Sequence, residues 1–449
     1  MKYIFIISTI VLNNLYHSQF DYLNKYIPYD SCSLTTHPEI EIKIWAHVIK
    51  KTNSDPENYT EDSIQYIQQQ FEWINTIYKT LNRPTLKNTK NNKPYIKDSR
   101  IRFKLDTISF YCNKNDWDRL CYIPENNKSK WIKILSINPD SGTILIKGVK
   151  NRYRPILDSI ILTETLFNDG IFHVKEIQRK ENNTLIYVKE KINISETNNG
   201  FISYYKKQDK NCSKENWMKY TNSDKNYLHI FYTGSSSQKI AFGCGPSPFY
   251  LNFSGATKNG KFANAQLLSH EIGHCIGLKH TDRPQFDDLP SSDKFGWINC
   301  NNTNTSNNIM GYNKCRRYLS PLQIAYVHYR YSNNEDLYPT IYQKYEKENI
   351  SYVTNNDVWD KCIFMQNDII IKKNKTLIIR DKLTMAKNRS IILEKKSKLI
   401  VDGGTIKGGI NKDWNGIIKC KSEFNRTKMP SRVKNIAIVE TRNNGKINY

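Results

Sequence analysis

His270-Glu271-Ile272-Gly273-His274-Cys275-Ile276-Gly277-Leu278-Lys279-His280 is the stretch on which the reading of this chain turns. Two histidines four residues apart on a helix face the same way, with Cβ atoms roughly 6 Å apart. Both imidazoles then reach one metal ion at about 2.0–2.1 Å, and His270 and His274 have that spacing. Glu271 follows the first ligand directly, so its carboxylate meets a metal-activated water without occupying a coordination position. Gly277, three residues past His274, accepts the positive φ at which a chain leaves a helix sharply. The turn brings His280 round as third ligand. Three neutral imidazoles leave the fourth position of a tetrahedral zinc site open, as in catalytic sites; structural zinc is usually closed by four protein ligands rich in cysteine. A lone His-x-x-x-His pair is often surface decoration, but five residues at fixed offsets in a chain with nine histidines argue for a built site.

Downstream stands Asn308-Ile309-Met310-Gly311-Tyr312. The histidine motif and this segment together resemble the metzincin zinc metalloproteases, in which a methionine turn lies beneath the metal. Within that clan the likeness is to the pappalysin (cytophagalysin) family. It spans about residues 38 to 335 and is specific only around the site. The resemblance implies an α/β (α+β) catalytic domain with a twisted mixed sheet and a zinc helix. It also implies hydrolysis of protein or peptide substrates with Glu271 as general base. It places Tyr312, two residues after Met310, near the open side of the metal, where its phenol would stabilise an oxyanion; the plain alternative is a core aromatic after a turn. Pappalysin relatives carry calcium near the site, so the acidic group Asp282, Asp287, Asp288 and Asp293 is a candidate oxygen-ligand site. A solvated acidic loop is the other reading.

The 449 residues suffice for two or three domains. The net charge of +24 comes mostly from scattered lysines in a chain rich in Asn, Ile and Tyr, a compositional bias rather than a nucleic-acid groove. Residues 1–18, with Lys2 before the apolar run Tyr3 to Leu12, read as a secretory signal peptide. About ten apolar residues fall short of the roughly 20 that span a bilayer, so the chain is expected to be secreted and not membrane-spanning. Export makes the ten cysteines candidates for disulfides. A bridge from Cys300 to Cys315 would close a loop of about 15 residues, worth about 3 kcal/mol in the chain-entropy model. Cys275 fits no ligand spacing and reads as a packing residue.

Residues 19–37 are too few for a folded prodomain. Ile42, Ile44, Ala46 and Val48 alternate with Lys43, Trp45 and His47, a strand with one buried face, which sets His47 apart from the ligands. Thr60 caps a helix whose apolar face runs from Ile64 to Leu81, and Ile101 to Phe110 is the next strand. Residues 122–225, with short β runs such as Thr143 to Ile146, read as an insertion. Tyr227 to Tyr232 and Phe249 to Phe253 are strand-like, and a helix begins near Ala263. Ser320-Pro321-Leu322-Gln323 is a capping box that opens the helix closing the 38–335 domain. Residues 336–355 read as a linker. In 356–449, runs such as Ile369-Ile370-Ile371, Leu377-Ile378-Ile379 and Leu399-Ile400-Val401 recur at short spacing, the pattern of a β-solenoid; an antiparallel sandwich is the alternative. A surface or polymer contact is expected of this module. The rival to an enzyme is a secreted adhesin in which zinc only braces the fold.

Overall fold

A computed structural model describes residues 20–55, 58–86, 93–117, 120–148, 159–209, 215–234, 242–244, 247–254, 262–282, 284–290, 306–343, 350–409, 413–419 and 436–449. The expected signal peptide and Cys212, Asp293, Cys300 and Cys420 lie outside them.

The chain is mixed α/β. β1 (Ile40–Lys50) and β2 (Ile101–Cys112) pair in parallel around helix α1 (Ile64–Lys79). Thr60 forms its capping box with Ser63, on a 3-10 turn that leads into the helix. Ile67, Phe71, Ile74 and Tyr78 then bury one face against the sheet.

Eight strands follow, β3 (Leu120–Pro124), β4 (Ile132–Asn138), β5 (Thr143–Ile146), β6 (Ser159–Thr163), β7 (Gly170–Lys180), β8 (Asn183–Val188), β9 (Glu196–Thr197) and β10 (Phe201–Asp209). They form one antiparallel sheet with its own core of Ile134, Ile144, Ile160, Ile186 and Ile202, lying in the chain between β2 and the later strands of the first sheet.

The first sheet then resumes with β11 (Leu228–Thr233), β12 (Phe242–Cys244) and β13 (Tyr250–Ser254), in the order β12-β13-β11-β1-β2. Only the edge strand β12 runs antiparallel. Helix α2 (Phe262–Cys275) packs beside α1, Tyr78 donating its hydroxyl to the Ser269 carbonyl at 3.0 Å. Helix α3 (Pro321–Asn333) starts at the Ser320–Gln323 capping box. No helix among the described residues is long and apolar enough to cross a membrane.

The expected linker is not one. Leu337 and Tyr338 are buried in the main core, the Tyr342 amide donates to the Glu41 carbonyl at 2.7 Å, and Ile350–Val353 is already a strand. Polar composition misled here because tyrosines bury their rings while keeping a hydroxyl for a partner.

From β14 (Ile350–Val353) the chain coils. β15 (Asp357–Trp359) and β16 (Ile363–Met365) complete a first turn; β17 (Asp368–Ile371), β18 (Thr376–Ile379) and β19 (Lys382–Met385) a second; β20 (Ser390–Leu393), β21 (Lys398–Asp402) and β22 (Thr405–Gly408) a third; β23 (Gly416–Lys419), β24 (Ile438–Arg442) and β25 (Lys446–Asn448) a fourth. Every pairing between coils is parallel and in register, which excludes the sandwich. Inward columns such as Leu377–Leu399 and Ile371–Leu393 fill the centre.

The β16 face docks on the first domain. Phe364 stacks on Tyr338 at 4.3 Å, the Cys362 amide donates to the Tyr26 hydroxyl at 3.1 Å, and Lys407 reaches Glu335 at 2.6 Å. Phe364 and Ala386 therefore belong to the core of the first domain.

Candidate metal centre

Helix α2 presents His270 and His274 one turn apart and ends on Gly277, whose φ is +104°. The Leu278 amide donates to the Gly273 carbonyl at 2.9 Å and the Gly277 amide to the His274 carbonyl at 3.0 Å, the paired bonds of a Schellman cap. A Cβ on Gly277 would push the Arg330 guanidinium aside, and the positive φ itself calls for glycine. The chain reverses and carries His280 back to the helix.

All three rings aim Nε2 at one point. His280 Nε2 lies 3.1 Å from His270 Nε2 and 2.8 Å from His274 Nε2. Each Nδ1 is engaged on the outer side: His270 with the Ile309 carbonyl at 2.7 Å, His274 with the Leu278 carbonyl at 2.8 Å, and His280 with the Tyr312 hydroxyl at 2.9 Å. A carbonyl only accepts, so His270 and His274 carry their proton on Nδ1 and turn an Nε2 lone pair inward. Two inward lone pairs meeting a third ring nitrogen make an electron-rich point suited to a cation. Two nitrogens bound to zinc at about 2.0–2.1 Å in a tetrahedral set stand about 3.3 Å apart, close to the spacings seen. The donor set therefore fits a metal ion, and among the described residues it is the only group of three or more potential ligand side chains gathered in this way.

Electrostatics point the same way. Burial, then the nearby Arg316 charge, holds His270 far below the usual histidine range. Burial also lowers His274, and it lowers His280 to about 4. All three stay neutral near pH 7, the form that ligates. Burial in turn brings Arg316 down to about 10, with Glu271 and Tyr312 acting against that shift.

Several residues that shape the centre went unread in the sequence. Gly273 sits inside α2, where glycine costs about 1 kcal/mol relative to alanine; that cost was the available signal. A Cβ there would strike the Met310 sulfur, so the glycine admits Met310, itself 0% exposed, against the helix. Gly243 on β12 is the second, because a Cβ there would run into the Glu271 side chain. Arg316 is the third, 2% exposed, with Nε donating to the Gly311 carbonyl at 3.2 Å. The turn around Met310 thus gives its carbonyls in order: Ile309 to His270, Met310 to the Thr281 amide and Gly311 to Arg316.

Other expectations change. The Tyr312 phenol lies on His280 Nδ1, the nitrogen facing away from the cluster, and in this position it acts on a ligand. Asp288 is no cation ligand here. It is 6% exposed and accepts from Ser320 Oγ at 2.7 Å and the Leu322 amide at 2.8 Å, fastening its loop to the start of α3. Among the described residues Asp282, Asp287 and Asp288 do not gather their carboxylates into one group of ligands. Cys275 is buried in the core as a free thiol, and Cys32, Cys112 and Cys362 are free as well. Cys362 Sγ instead reaches Asp381 Oδ1 at 3.2 Å. Cys315 is disulfide-bonded. Comparison with protein-family models, with characterised proteins and with solved structures found no match, so the centre stands on its own geometry.

Proposed function

We propose that this chain is a secreted zinc-dependent endopeptidase of the metzincin kind. The observation that carries the reading is the convergence of three Nε2 atoms on one point, with a carboxylate that immediately follows the first ligand in the chain. His270, His274 and His280 would hold the zinc, and bound zinc supplies a Lewis acid that polarises a carbonyl and acidifies water. Glu271 takes the proton from the attacking water and passes it to the leaving amine. Tyr312 and the Ile309 and Leu278 carbonyls are positioning groups that fix which nitrogen each ligand presents. A peptide substrate suits the setting, because β12 is the edge strand of its sheet and its Gly243 lies against Glu271. An extended peptide adds to such an edge by main-chain hydrogen bonds.

The test is incubation of the secreted protein with a mixed peptide library, with and without a zinc chelator, and identification of the cut bonds by mass spectrometry. Glu271→Gln, which keeps the shape but not the proton acceptor, should retain zinc and fold while cleavage falls by about 10²–10⁴. Cleavage that survives chelation, or a Gln variant near the wild-type rate, overturns the reading. Tight zinc without any cleavage would return the centre to a structural brace.

A further inference from the structure

The loop between β6 and β7, Glu164-Thr165-Leu166-Phe167-Asn168-Asp169, is built inside out. Leu166 is 67% exposed and Phe167 63%, and Ile171 and Ile194 beside them are 53% and 41% exposed. The polar groups face inward instead. Glu196, 4% exposed, accepts from the Leu166 amide at 2.8 Å, the Phe167 amide at 3.1 Å and Asn168 Nδ2 at 2.6 Å. Asn168 also donates to the Ile194 carbonyl at 2.9 Å, and Asp169 takes the Thr165 amide and hydroxyl at 2.8 and 2.7 Å. With two successive amides held by one buried carboxylate, the Leu–Phe pair cannot fold back over the sheet. The result is a loop that, with its neighbours Ile171 and Ile194, shows four large apolar side chains to solvent.

The collar around it is basic. Ile171, His173 and Lys175 alternate on the exposed face of β7, and the Lys189 amide bonds the His173 carbonyl at 2.8 Å, which brings Lys189 and Lys191 alongside. Lys175, Lys189 and Lys191 are exposed. The acidic groups nearby are engaged: Glu190 with His173, Glu164 with Lys128, Asp169 with Thr165 and Glu176 with Gln178. The whole chain carries +24. A folded protein would need a ready-made cavity for such a tip, whereas a fluid lipid interface opens around it. Its lysines meet anionic headgroups while the rings and methyls enter the acyl boundary.

We propose that this hairpin tip inserts into the interface of an anionic lipid bilayer and holds the protein on a membrane surface that it does not span. The surface contact expected of the C-terminal module would then belong to the inserted domain.

Flotation of the full chain with vesicles of phosphatidylcholine alone, or of phosphatidylcholine with phosphatidylglycerol, tests this. Wild type should bind the mixed vesicles and not the neutral ones. Leu166→Ser with Phe167→Ser should weaken that binding at least about tenfold with the melting temperature unchanged, since both side chains are already in solvent. Lys189→Glu with Lys191→Glu should weaken it about fivefold per residue. No wild-type binding to either vesicle, equal binding to both, or undiminished binding by the serine variant each overturns the proposal. So would a serine variant that impairs only the capture of a soluble protein.

Discussion

His47 Nε2 lies 2.9 Å from His229 Nδ1, and His274 Nε2 lies 2.8 Å from His280 Nε2. The distances match and the chemistry does not. In the first pair the Asp224 carbonyl holds the proton of His229 on Nε2, so His229 Nδ1 accepts and His47 Nε2 donates. The chain continues from the Tyr111 hydroxyl through His47 and His229 to the Asp224 carbonyl. Stacked rings of Phe231 and Tyr111 close round it, and both histidines are 0% exposed. In the second group the same nitrogen of each ring turns inward, all outer nitrogens are occupied, and a carboxylate stands next in the chain. A short contact between histidines is thus no evidence of a metal. What distinguishes the sites is which nitrogen the outer partners leave free.

The largest effect that could break this comparison is on metal content. His274→Ala should drop zinc from stoichiometric to near zero, because two remaining imidazoles hold the ion weakly. His47→Phe should leave zinc unchanged. Elemental analysis after gel filtration decides it, and equal zinc in wild type and His274→Ala would sink the assignment.

A smaller effect separates ligands from the groups that aim them. Tyr312→Phe keeps the ring but removes the oxygen from His280 Nδ1, releasing the constraint on which nitrogen His280 presents. Zinc affinity should fall about 10–100-fold, measured by competition with a chromogenic chelator. Unchanged affinity with a lower kcat would instead return the phenol to the oxyanion role read from the sequence resemblance.

That revision marks the boundary of what the chain discloses. The histidine motif, the Thr60 cap, the Ser320–Gln323 capping box and the solenoid runs were legible because each depends on neighbours within about one turn or one coil, where helical and strand periodicities fix side-chain direction. His47 was read as the outward face of a strand, although that face is covered by Trp217 and Tyr220 from the helix Glu215–Thr221. Nothing local to His47 announces a partner 182 residues away. Gly243 and Glu271, or Gly273 and Met310, meet only after the sheet and helix have packed. The polar run after 336 misled for the same reason, since its buried rings are answered by Phe364 in the solenoid.

The smallest effect is a pH dependence confined to the non-metal pair. Burial holds His47 at about 2, with the His229 charge acting in the same direction, while an unfolded histidine titrates near 6.5. Burial lowers His229 too. Because the folded pKa is depressed, the unfolded chain takes up the proton first. Stability is therefore complete above about pH 6.5 and declines as pH falls toward 2, by about 1.4 kcal/mol per unit for each such histidine. Between pH 6.5 and 5.5 His47 alone should cost about 1 kcal/mol. Urea unfolding of zinc-saturated wild type and His47→Phe at pH 7 and 5.5 reads this directly, since the triad contributes equally to both proteins. His47→Phe leaves His229 Nδ1 without its partner and will be less stable at either pH. The informative quantity is the difference of differences: the drop on acidification should be smaller in the variant by about 1 kcal/mol. An equal drop would mean that His47 is protonated in the folded chain, and the contrast between a buried relay and an outward-braced candidate metal centre would lose its electrostatic half.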